Sequence, residues 1–296
     1  MQDEFKIGQP ALESEDLSRW VGRVETSSAF IGSETAEALA ATLDVGPCFS
    51  AGSGVPLPPL WHWACFKHAV PGLALGADGH PRKGGFLPPV SLPRRMWAGS
   101  RLRWEPHQPL RLNEQAWRTS SILSIRTKTG RTGSLVFVTV RHEVRNAAGP
   151  VLIEDQDIVY RELAGAPPLP VAATAAETPL GNWHRMLCPD EVLLFRYSAL
   201  TFNAHRIHYD LPYATQVEGY SGLVVQGPLL ATLLVDLLRR QAPDARLRSL
   251  EFKGLQPSFA GRELHLKGTH DGAGNVKLWA EDDAGVRVMD ASALID

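Results

Sequence analysis

Cysteine is nearly absent from this chain. Cys48, Cys65 and Cys188 are scattered over 296 residues, an odd number with no paired spacing. That excludes a disulfide framework and any thiolate zinc motif, and a reducing, cytoplasmic setting is the simplest expectation. No apolar run reaches the length of a membrane span, so no membrane partner is expected. Neither sign of charge dominates: the net charge is −2, which gives no electrostatic footprint for nucleic acid or an anionic surface. The N-terminal MQDEFKIGQP lacks the basic and then apolar segments of a signal peptide. What is present is ordinary globular composition, 44% hydrophobic and 21% charged. The length suits one large domain or two ordinary ones with a sizeable core.

The chain divides into similar halves, residues 1–162 and 183–296, around a Pro/Ala-rich linker at 163–182. In the second half, GPLLATLLVDLLRR (Gly227–Arg240) predicts a helix that is apolar nearly all round and therefore buried. Pro228 suits its first turn, Arg239 and Arg240 suit its last, and Pro243 blocks continuation. Four strand-like runs follow, LRSLEFKGLQP, ELHLKGTH, NVKLWAED and VRVMDASALI, with turns such as HDGAG and DDAG between them. In the first half, Thr35–Pro47 and Pro58–Ala69 predict helices, and four strand-like runs follow between residues 100 and 162. Trp104-x-x-x-Gln108-Pro109 matches Phe252-x-x-x-Gln256-Pro257, and Ala148-Gly149 matches Ala284-Gly285. These matches point to an internal duplication. The expected fold is α+β, a double hot dog: two curved antiparallel sheets, each wrapped on a central helix, joined edge to edge. Residues 71–93 have no counterpart in the second half and read as a loop, a lid or a channel wall.

The chemistry concentrates in FNAHRIHYDLPYA, Phe202–Ala214. As a metal site, His205-x-x-His208 is poor. Helical ligand pairs sit four apart, and only Asp210 is a conceivable third ligand, so no metal is expected. Acid/base work is the better reading, because histidine exchanges protons near neutral pH. The segment precedes EGYSGLVVQGP, which leads into the buried helix. The free N–H groups at that helix start, Gly227 first, form a site for an oxyanion developing on a thioester carbonyl. A base beside it would add water across the α,β double bond or remove it. A structural histidine beside Tyr209 and Asp210 remains the alternative from spacing alone.

The segment resembles the signature of MaoC-like R-specific enoyl-CoA hydratases, Leu-Ser-Gly-Asp-x-Asn-Pro-Ile-His-x-Asp. Leu200 to Asp210 runs in register with it, and Ala214 follows. The family's catalytic His falls on His208, its Asp on Asn203 and its Asn on His205, while its His-Gly falls on Gln226-Gly227. LSRWVGRVE, PRRMWAGSRLRW and GYSGLVVQGPL resemble one branch, that of itaconyl-CoA and mesaconyl-C4-CoA hydratases and 3-hydroxyacyl-thioester dehydratases. The resemblance implies that the first half supplies a tunnel wall and no catalytic motif of its own.

It also implies a hydro-lyase without metal or redox cofactor, because the thioester itself acidifies the α-carbon. Asn203 cannot titrate, so it orients water while His208 carries the proton and Gly227 N–H holds the oxyanion, with His205 or Asp210 assisting. Tyr220, Gly222 and Val224 are expected to contact the substrate. A short dicarboxylyl-CoA needs a cation, and Arg206, Arg94 and Arg95 are the candidates. Itaconyl-CoA, giving citramalyl-CoA, is the leading expectation, with mesaconyl-C4-CoA beside it. A dehydratase for longer acyl chains, a thioesterase and a non-catalytic acyl-CoA-binding protein are the alternatives. A double hot dog already contains a pseudo-dimer, so monomer and homodimer both fit.

Overall fold

The computed structural model describes residues 16–46, 54–130, 133–162 and 183–296. The linker expected at 163–182, and Cys48, lie outside the described residues. Five strands precede that linker: β1 (Val24–Phe30), β2 (Arg94–Trp104), β3 (Gln115–Gly130), β4 (Gly133–Asn146) and β5 (Gly149–Arg161). Five follow it: β6 (Trp183–Leu187), β7 (Leu247–Gly254), β8 (Leu264–His270), β9 (Asn275–Asp282) and β10 (Arg287–Ile295). All ten form one antiparallel sheet in the order β1-β3-β4-β5-β2-β7-β10-β9-β8-β6. The order reads the same from either end once each strand is replaced by its counterpart in the other half.

The duplication is visible in the register. The repeated Trp104/Phe252 motif makes Leu102 and Leu250 equivalent, since each lies two residues before the motif's aromatic. These two leucines face each other directly across β2 and β7. A two-fold relation between the halves therefore passes between them. Joining at β2 and β7 leaves only the short strands β1 and β6 as edges, which limits edge-to-edge association.

The second half is filled as expected. Helix α3 (Gly227–Gln241) is buried at every position from Leu229 to Leu238 and packs on β2, β6, β8, β9 and β10. Asp236 is 3% exposed there, and Arg185 and Arg240 neutralise it at 2.6 and 2.7 Å. Helix α2 (Glu191–Thr201) opens on Asp190, whose Oδ1 accepts the Leu193 N–H, and closes on Phe202 in the left-handed region.

The first half departs from expectation. Its helix α1 (Ser33–Thr42) ends about one turn before the stop expected at Gly46 and Pro47, and Pro47 lies outside the described residues. Pro58–Ala69 is not a helix. Only Trp61–Ala64 makes a single tight turn, after Leu60 adopts φ 72°. The prolines and the left-handed Leu60 break the chain, and the Trp63 side chain is held by Glu154 of β5. Among the described residues the first half has no helix as long as α3, and a cavity of about 1390 Å³ opens there, with Tyr197, Asn203 and Pro228 of the second half also on its wall. No helix among the described residues is long and apolar enough to cross a membrane.

Candidate active site

The histidine segment is fixed at both ends. Phe202 ends α2, and Asn203 N–H bonds back to the Ser198 carbonyl at 2.8 Å. The Asn203 Oδ1 accepts the His205 N–H at 3.1 Å, which leaves the Nδ2 hydrogens without a bond to any described residue. A tight turn, Arg206–His208, follows. Arg206 pairs with Asp210 at 2.7 Å, and Asp210 Oδ1 accepts the Tyr213 N–H at 3.0 Å. Val224 N–H bonds the Ile207 carbonyl, so the approach strand lies against the turn.

His208 is buried, and its Nδ1 lies 2.7 Å from the Val224 carbonyl oxygen. A carbonyl only accepts, so Nδ1 carries the proton and Nε2 keeps a lone pair. Burial, aided by His80 and opposed by the Val224 bond, pushes the imidazole down to about 4. His208 is therefore neutral at physiological pH. The His205 ring stands edge-on to it at 5.3 Å and is held below the usual imidazole range by burial first, then by His80 and His208. At the start of α3 no side chain caps the first N–H groups, and Gly227 brings no Cβ to obstruct approach. Gln226 is 1% exposed; its Nε2 donates to Leu194 O and Ser198 Oγ, both at 2.9 Å.

The insertion is the element that sequence reasoning left without chemistry. Its segment Ala77–His80 docks on the histidine turn: Arg206 N–H and Nη1 donate to the Asp78 and Ala77 carbonyls at 2.9 and 3.0 Å. The His80 ring packs on His205 at 4.0 Å. Its Nδ1 bonds Asp78 Oδ2 at 3.0 Å. Burial opposes the Asp78 charge, but the bond to His80 and the nearby imidazoles outweigh it and hold the carboxyl well below its usual range. Ligand atoms of Asp78, His80 and His205 lie within 4.8 Å of one another. By distance alone they form a three-ligand set, yet His80 Nδ1 and Asp78 Oδ2 are already bonded to each other. The arrangement is that of a hydrogen-bonded acid–base cluster.

A second polar group lies in the first half, where sequence reading placed none. Glu154 is 2% exposed; it accepts from Ser100 Oγ at 2.7 Å and Trp63 Nε1 at 2.9 Å, with His62 Nε2 at 3.5 Å. Burial raises its pKa, but the His62 and His142 contacts outweigh that and hold it down at about 2. Ser120, His142 and Glu154 are direct neighbours across β3, β4 and β5, and the row continues to Leu102. The equivalents of Glu154 and His142 in the second half are the apolar Ala293 and Val276. The fold thus does not require polar groups there. A signal did exist: Glu154 and Gln156 share the face of Ile158 and Tyr160, and His142 interrupts the buried series Val138, Val140, Val144.

Both clusters meet the cavity. Its wall includes Asn203, His80, Arg95, Glu154, His142, Arg118 and Pro228. Asn203 and Arg95 are thus the sequence-chosen residues on the wall itself; His205 stands behind His80, and His208 behind His205. Arg95 influences His80 and His205 electrostatically, and no carboxylate among the described residues pairs with it. Arg94 and Arg206 are engaged elsewhere. Arg94 is buried on Glu218 at 2.8 Å and over the Tyr220 ring; Arg206 is bound to Asp210 and stacked on Tyr213. Tyr220 and Gly222 pack toward Phe259, and Val224 acts through its carbonyl on His208.

A sheet of this order with a buried helix packed on it defines a hot-dog protein. The family model for hydroxyacyl-thioester dehydratase type 2 matches residues 60–260. The chain belongs to that family. It is 42% identical to mesaconyl-C(4)-CoA hydratase of Chloroflexus aurantiacus over 95% of this chain and 98% of the relative. Solved structures show the fold. A MaoC-like dehydratase from Phytophthora capsici superposes with a TM-score of 0.68 at 14% identity, covering 95% of this chain and 98% of its own. A Mycobacterium tuberculosis protein described as a double hot dog gives a TM-score of 0.55 at 14% identity, covering 93% and 96%. The fold is the double hot dog expected from the sequence.

Proposed function

We propose that this chain is a hydro-lyase that adds water reversibly to the double bond of a short dicarboxylyl-CoA. The observation that carries the reading is the end-to-end similarity to the Chloroflexus hydratase. That similarity makes mesaconyl-C4-CoA the first substrate to test and itaconyl-CoA the second. The two differ chemically. In mesaconyl-C4-CoA the double bond is conjugated with the thioester, so water adds directly at the β-carbon. In itaconyl-CoA it lies one bond further out and must first move into conjugation through loss of an α-proton.

The site supports that chemistry. His208 Nε2 keeps a lone pair as a neutral acceptor, because Nδ1–H is held by Val224. Asn203 orients the water through its unpaired Nδ2. The electron pair of the double bond passes to the thioester oxygen, which Gly227 N–H receives at the uncapped start of α3. Arg95, on the wall beside the histidines, reads the free carboxylate. A dehydratase for longer chains remains the second reading, because the cavity of about 1390 Å³ has room for a longer acyl group. The test is enoyl absorbance with mesaconyl-C4-CoA, itaconyl-CoA, crotonyl-CoA and a long-chain enoyl-CoA. Wild type should favour the dicarboxylyl esters, and Arg95→Gln should lose that preference while still hydrating crotonyl-CoA. An unchanged preference in Arg95→Gln would remove Arg95 from the account. His208→Ala should lose about a hundredfold or more in kcat.

A further inference from the structure

Asn203 leaves the proposed reaction with no titratable group at that position, while the insertion delivers two such groups to the turn that follows it. We propose that His80, oriented by Asp78, is a catalytic base of this enzyme and replaces the carboxylate that Asn203 lacks. The inference rests on the hydratase reading and adds a residue from the other half of the chain to its machinery.

Four observations carry it. First, of the three histidines in the cluster, His80 is the one on the cavity wall that Asn203 also lines, and its ring packs on His205, whose N–H Asn203 holds. Second, its Nδ1 is bonded to Asp78 Oδ2 at 3.0 Å, which fixes the tautomer with the proton on Nδ1 and a lone pair on Nε2. A carboxylate in that position also stabilises the imidazolium formed when Nε2 takes a proton. Third, the placement is built in. Gly79 lies between the pair at φ +86°, and a Cβ there would come within 1.8 Å of the Ala204 oxygen. The Asp78 carbonyl and His80 ring meet the histidine turn at 2.9 and 4.0 Å. Fourth, Asp78 is the acid in this cluster, and its low pKa keeps it charged at every working pH.

The step balances without a further reagent. Water bonds one hydrogen to His80 Nε2, the imidazole on the cavity wall, and Asn203 Nδ2 donates to its oxygen. As its oxygen forms the bond to the β-carbon, the O–H bond facing His80 breaks and the proton goes to Nε2. The electron pair of the carbon–carbon double bond moves to the thioester oxygen at Gly227 N–H. The enolate then re-forms its carbonyl and takes the proton from His80 at the α-carbon. The proton transfer that the sequence reading gives to His208 thus passes to the imidazole that faces the cavity.

The groups facing His80 set its titration. Asp78 favours the protonated form. Burial, Arg95 of β2 and Lys83 of its own segment oppose it, and His205 and His208 of the histidine turn lie on its other side. Removing the Asp78 charge therefore lowers the basicity of His80.

The experiment compares wild type, His80→Gln, His80→Ala and Asp78→Asn on whichever enoyl-CoA of the panel wild type turns over fastest. Melting temperature and the pH profile are recorded for each. His80→Gln and His80→Ala should lose about a hundredfold in kcat with little change in KM, and added imidazole should restore part of the loss in His80→Ala. Asp78→Asn should lose kcat and move the acid limb of kcat/KM to lower pH. Four results would overturn the proposal: kcat within about threefold of wild type in His80→Gln; a rise in KM with a fixed acid limb, which marks a structural loop; no rescue by imidazole; or activity abolished by chelation and restored by zinc, which makes the cluster a metal site. If wild type hydrates no ester in the panel, the hydratase reading fails and His80 falls with it. Turnover by wild type with unaffected His80 variants sinks His80 alone.

Discussion

Gly79→Ala tests how tightly the insertion must sit on the histidine turn. Gly79 has φ +86°, and the added Cβ would lie 1.8 Å from the Ala204 oxygen and 2.8 Å from its carbon. Ordinary contact is nearer 3.5 Å, so loop and turn must separate by roughly 1.5–2 Å. Backbone strain adds about 1–2 kcal/mol for an L-residue in that region. The two hydrogen bonds from Arg206 to Asp78 and Ala77 are lost with the separation, at roughly 1 kcal/mol each. The insertion lies outside the packing around α3, so it swings away and the core survives. Misplacement on this scale costs about a hundredfold in rate when it moves a reacting group. The assay is kcat/KM on the preferred enoyl-CoA beside a thermal melt. The expected result is a drop of about a hundredfold with a modest fall in melting temperature. A variant within threefold of wild type would refute the reasoning, because the clash cannot be absorbed with His80 still in place.

Three further outcomes follow from the same geometry. Asn203→Asp should lower kcat by roughly tenfold, since it removes the Nδ2 donors and puts a negative charge on the wall where they orient water; a gain would show that a carboxylate belongs at that position. Burial lowers the pKa of His80 and His208 alike, so the acid limb of kcat/KM should lie below the ordinary imidazole value, and a limb at that value would contradict the burial argument. The same depression makes stability pH-dependent. The unfolded chain takes up a proton at His208 that the folded one refuses, so stability falls as pH drops from about 6.5 to about 4, by about 3 kcal/mol in all. Urea unfolding at pH 7 and pH 5 measures it, and equal stability at both would exclude a buried neutral His208.

The strands that alternate between turns were readable because one face is buried and the glycine or aspartate turns bound them, as in NVKLWAED. The edge strands β1 and β6 were not, because most of their residues are exposed or half-exposed and the apolar and polar side chains of VETSSAF and WHRML do not alternate. Helix α2 escaped for a related reason: Val192 and Phe195 are exposed and blur the face that buries Leu194, Tyr197 and Ser198. WHWACF looked helical, but its tryptophan and histidine side chains are set by partners on distant strands, which local pattern cannot reveal. The site divides in the same way. His208, Asn203 and Gly227 lie in one contiguous run and were legible as a motif. Asp78 and His80 sit in a Gly/Pro-rich loop, and their meaning depends on a contact with His205 more than a hundred residues away. Arg95 was separable from Arg94 only once the structure showed Glu218 beside the latter.

The most direct test of the central claim is incubation of the protein with mesaconyl-C4-CoA in heavy-oxygen water, followed by mass spectrometry and a free-thiol assay. The account predicts loss of the enoyl absorbance, one heavy oxygen in the new hydroxyl group, an intact thioester and no release of thiol. Release of free CoA thiol, or an ester recovered unchanged from saturating enzyme, would contradict it.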